Sequence, residues 1–148
     1  HYPDTLLTVL FKVRIPRILA AMMIGAALSV SGATYQGLFK NPMVAPETLG
    51  TSAGAGFGAA IAILFSFNLV EVQISSFVFG LLAVLLTYFI SSIISREDNG
   101  ILSFVLTGMV ISNLCLALIS LVKYVGDPYN KLPEITFWLM GGLSSITT

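Results

Sequence analysis

Charge is what this sequence has least of. Of its 148 residues, 9% are Asp, Glu, Lys or Arg, where a soluble domain carries about 25%. The seven acids and seven bases cancel, so no basic excess points to nucleic acid and no acidic excess to a cationic partner. There is one histidine, His1, and one cysteine, Cys115. An intramolecular disulfide is therefore excluded, and a His/Cys metal centre has too few ligands. Cys115 sits inside an apolar run and reads as a small buried hydrophobe. No G-x-x-x-x-G-K-[ST] occurs, so ATP is not expected to bind here through a P-loop. No basic stretch leads into a short apolar segment with a cleavage site, as a secretory leader would.

Hydrophobic residues make up 56% of the chain, and the few charges lie between long uncharged runs. Ile18 to Phe39 is 22 residues, Thr48 to Val70 is 23, and Val72 to Ser95 and Asn99 to Val122 are 24 each. A bilayer core about 30 Å thick takes roughly 20 helical residues. Buried helices of soluble domains are shorter and keep a polar face. The expected fold is all-α: one polytopic transmembrane domain with helices over 16–39, 46–70, 72–95 and 99–122. A short partial helix is expected over 135–143. The opening "HYPDTLLTVLFKVRIPR" reads as an extramembrane lead-in, and "GGLSSITT" follows a fresh apolar start. Both ends read as cut, so a piece of a longer chain is expected.

Between the first two runs stands "KNPMVAPETLGTSAGAG", a proline corner followed by almost no side chains. Small residues recur every four positions before it, at Ala21, Gly25, Ser29, Ala33 and Gly37. They recur after it at Gly50, Gly54, Gly58 and Ala62. Lipid tails are as apolar as leucine, so membrane helices associate by close backbone approach, which such stripes permit. The corner at Asn41, Pro42 and Pro46, with Glu47 in the first turn of the second helix, is expected to make a tight antiparallel hairpin. Its striped faces would meet each other or other helices.

Three motifs invite catalytic or channel readings. Gly50-Thr51-Ser52-Ala53-Gly54 matches G-x-S-x-G, but a nucleophile elbow needs a preceding strand and a later histidine, and the only histidine is at position 1. Gly54 to Ala59 matches a loose dinucleotide fingerprint outside any βαβ unit. Asn41-Pro42 occurs once, where a water-channel signature needs two such loops in pseudo-symmetric halves.

A denser pattern runs through "RIPRILAAMMIGAALSVSGATYQGLFKNPMVAPETLGTSAGAGFGAA". Its parts are Arg14 to Arg17, Gly25 to Leu28, Ser31–Gly32, Gln36–Gly37, Asn41–Pro42 and Leu49 to Ala55, with "FWLMGGL" later at Phe137 to Leu143. In these the chain resembles the permease family of bacterial ABC importers for iron–siderophore, haem and cobalamin. Many members carry an acid just before the second proline; here Ala45 stands there and the acid is Glu47. The resemblance implies an inner-membrane permease that moves a metal chelate by alternating access, with no catalysis on this chain. It implies about ten membrane helices per subunit, of which this piece holds the second to the fifth. The implied partners are a second permease subunit, cytoplasmic ATPase subunits that hold ATP and Mg, a periplasmic or lipid-anchored substrate-binding protein, and the lipid itself.

The resemblance puts the "RIPR" end outside, with Arg14 and Arg17 matching arginines that pair with acids of the binding protein. A positive-inside count predicts the reverse, since Lys12, Arg14, Arg17, Lys123 and Lys131 would lie outside and only Lys40 and Arg96 inside. Headgroup anchoring is the plainer role for either arginine. The corner Asn41, Pro42, Pro46 and Glu47 becomes cytoplasmic. The resemblance also places the pathway along the 99–122 span and the short helix after it. Met109, Asn113 and Ser120 share one face there, with Leu116 or Ala117 and Tyr124; Asn113 would otherwise serve an interhelical hydrogen bond. Gly141 and Gly142 would allow close approach or a hinge. The alternatives are an intramembrane serine hydrolase using Ser52 and a non-transporting membrane scaffold.

Overall fold

The computed structural model describes residues 2–42, 44–94, 100–143 and 146. Every regular element among them is helical. Helix α1 (Tyr2–Val9), a wider π-helical stretch (Leu10–Arg14) and α2 (Ile15–Phe39) follow without a break. Pro16 explains the widening. A proline ring collides with the carbonyl four residues before it, here that of Lys12, and a π turn is one way a helix absorbs that. The first helix therefore begins well before position 16. It ends where Lys40 turns left-handed (φ 51°) and its N–H caps the Gln36 carbonyl.

The second expected helix, 46–70, is corrected. Pro46–Leu49 forms a single 3₁₀ turn, Gly50 takes φ 79°, and α3 covers only Thr51–Leu64. Gly50 is where the chain needs a residue without a side chain, because left-handed backbone is costly for others. Fourteen residues make about 21 Å, short of a bilayer core of about 30 Å. The helix stops at Phe65, where Ser66 adopts φ 61° and the Phe67 N–H reaches the Ala62 carbonyl at 3.0 Å. A new helix, α4 (Leu69–Ile94), then starts from a reciprocal capping box. The Glu71 N–H donates to Asn68 Oδ1 at 2.9 Å, and the Asn68 N–H donates to Glu71 Oε2 at 3.1 Å. Helix α5 is Gly100–Val125 and α6 is Lys131–Met140. Among the described residues, three helices are thus long and apolar enough to cross a membrane, over Pro3–Phe39, Leu69–Ile94 and Gly100–Val125.

The core lies where α3 meets α4, α5 and α6: Ala59, Ala60, Ala62, Ile63, Val72, Val122 and Ile135 are all buried there. Helices α3 and α4 run antiparallel at backbone contact. A Cβ on Gly54 would lie 2.5 Å from that of Ala83 and 2.9 Å from the Phe79 carbonyl, and one on Gly58 would lie 2.6 Å from the Ser75 carbonyl. Ser75 Oγ uses the closeness to donate to the Gly58 carbonyl at 2.8 Å. The stripe Gly50, Gly54, Gly58 and Ala62 is buried as its spacing predicts.

The stripe on α2 is not. No residue of α2 is buried, and a Cβ on Gly25, Gly32 or Gly37 would meet nothing within 4 Å. Ala21, Ser29 and Ala33 lie exposed or half-exposed beside them. The expected tight hairpin is corrected accordingly. The 3₁₀ turn and Gly50 steer α3 into the groove between α4 and α5 rather than back along α2. Helix α2 touches the bundle mainly at its foot, where Phe39 meets Phe104 with ring centroids 5.4 Å apart.

Candidate functional site

The turn that begins α3 lies deep between the longer helices. Gly108 of α5 packs so tightly on the Thr48 carbonyl and the Leu49 Cα that a side chain there would collide with both. On the next turn of α5, Ile111 and Ser112 abut Gly50. Gly108 is eight residues into α5 and Ser112 twelve, about 12 and 18 Å from its start. On the other side, the buried Thr87 hydroxyl lies 3.1 Å from the Leu49 carbonyl and 2.8 Å from that of Ala83, sharing its proton between them. Thr87 is seven residues before the end of α4, about 10 Å. The Pro46–Leu49 turn therefore stands well inside the ends of α4 and α5. Of the corner Asn41, Pro42, Pro46 and Glu47, the Pro46–Leu49 part thus re-enters the bundle between α4 and α5. The Asn41–Pro42 end is tied to α2, since Gln36 Nε2 donates to the Pro42 carbonyl at 3.1 Å.

This depth brings together residues that the sequence assigned to separate roles. Glu47 and Thr48 of the turn line one cleft of about 390 Å³ with Met109, Ser112 and Asn113 of α5. Glu47, Met109 and Asn113 are exposed on its wall. Further along α5, Leu116, Ala117, Ser120 and Tyr124 are also exposed, while Thr107, Gly108, Ile111, Ile119 and Val122 face inward. The Ser120 hydroxyl turns back to the Leu116 carbonyl at 3.1 Å. Sequence reasoning missed Thr48 and Ser112. Their signal was the small residue Gly108, which on an otherwise bulky helix marks a close backbone crossing.

The short helix α6 runs back beside α3. Lys131 at its start hydrogen-bonds Ser66, and Leu139 near its end faces Gly56. It thus dips from one end of the bundle and stops at Gly141 (φ 71°) and Gly142 (φ 149°). Both glycines are open, with nothing within 4 Å of an added Cβ among the described residues. A second cleft of about 370 Å³ lies beside α6, where Trp138 joins Thr51, Gln73 and Ser76.

The two arginines sit at the other end of α2. Arg14 closes the π stretch and is exposed; Arg17, in the first turn of α2, is half-buried. Ser52 lies exposed in the first turn of α3 behind a 3₁₀ turn, not behind the strand that a nucleophile elbow requires. His1 and Arg96 fall outside the described residues. Among the described residues, no three or more His, Cys, Asp or Glu side chains converge as metal ligands would.

Comparison with known proteins adds to this geometry. The model of the FecCD transport family matches residues 2–148. The molybdate import system permease protein MolB of Haemophilus influenzae is 41% identical over 137 residues, covering 93% of this chain and 40% of the relative. The vitamin B12 import system permease protein BtuC of Salmonella paratyphi A is 34% identical over 139 residues, covering 92% and 41%. A solved ABC transporter, described as of metal-chelate type in an inward-facing conformation, superposes with a TM-score of 0.87 at 39% identity. It covers 97% of this chain and 45% of that one. The chain spans about two fifths of the length of the curated relatives it matches.

Proposed function

The chain belongs to the FecCD transport family, and from that premise we propose that it forms part of the wall of an ATP-driven importer for a metal chelate in the bacterial inner membrane. The observation that carries this reading is the superposition on a metal-chelate-type ABC transporter along nearly the whole chain. An iron chelate, siderophore or haem, is the proposed cargo. Relatives named for molybdate and vitamin B12 mark how widely cargo varies on this scaffold. The chain itself offers clefts lined by hydroxyls, those of Thr51 and Ser76 in one and of Thr48 and Ser112 in the other. Such a wall suits passage of an intact chelate.

In this reading two permease subunits enclose the conduit, and ATP and Mg bind to separate cytoplasmic ATPase subunits that drive alternating access. A substrate-binding protein delivers cargo at the end that carries Arg14 and Arg17. The exposed Arg14 guanidinium is suited to bidentate pairing with an acid of that protein, and the half-buried Arg17 to anchoring the helix end. The decisive experiment uses the complete permease assembled with its ATPases in vesicles. Loaded binding protein should stimulate ATP hydrolysis, and Arg14→Glu should cut that stimulation at least about tenfold while basal hydrolysis persists. Absence of any stimulation in the wild-type assembly would contradict the reading.

A further inference from the structure

We draw no further inference here: the strongest candidate, the cleft beside α6 where the buried Ser76 meets Thr51, Gln73 and Trp138, opens on a face of the bundle, and nothing in the structure shows whether a conduit, lipid or further helices cover it.

Discussion

Two residues hold the re-entrant turn in place, and each makes a separable contribution. Gly108 lets the Thr48 carbonyl and the Leu49 backbone lie directly on α5, with no room for a methyl group. Gly108→Ala should force the helices apart and cost about 1–3 kcal/mol, by the usual penalty for overpacking. The check is the thermal unfolding midpoint of the complete permease in detergent. Thr87 anchors the same turn from α4 through its contact with the Leu49 carbonyl, buried away from solvent. Thr87→Val keeps the shape and leaves that carbonyl unsatisfied, a loss of about 1–2 kcal/mol in the same measurement. The sequence shows both residues as ordinary members of apolar runs. What it cannot show is which carbonyl lies opposite, because that depends on how far α3 is sunk between its neighbours.

At the scale of elements, the apolar runs for α2, α4 and α5 were legible because length and lack of charge decide them. The extent of α3 was not. Hydropathy merged it with its connection to α4, since Phe65 to Val70 is too apolar to look like a turn. The signal that separates them is the Asn68-x-x-Glu71 capping box, a polar pair that a search for charge-free runs counts as the end of one span. Asn68→Ala should cost about 1 kcal/mol and loosen the first turn of α4, read as faster amide exchange at Leu69 to Val72. The π stretch before Pro16 was hidden for another reason. Proline at a first-turn position is a common helix start, and only continuity with α1 turns it into a strained interior site. The polar face of α5 was visible from spacing alone. Its joining to Glu47 was not, because the two segments are more than 60 residues apart.

At the scale of the whole molecule, α3 and α6 are partial helices set among full-length ones, and the bundle leaves much of its apolar surface open. Helix α2 is the extreme case, with a small-residue stripe and no buried residue. Small residues facing lipid gain nothing, so the stripe is expected to pack against helices from the remaining three fifths of a family-length permease. Gly25→Leu should therefore lower the yield of assembled complete permease several-fold, although α2 has room for the side chain within the described residues. Uptake into proteoliposomes holding the complete permease, its ATPases and internal ATP, supplied with loaded binding protein, tests the central claim most directly. The account predicts that an iron chelate accumulates inside against its gradient, and only while ATP is hydrolysed. Accumulation that ignores ATP, or no accumulation of any chelate, would contradict it.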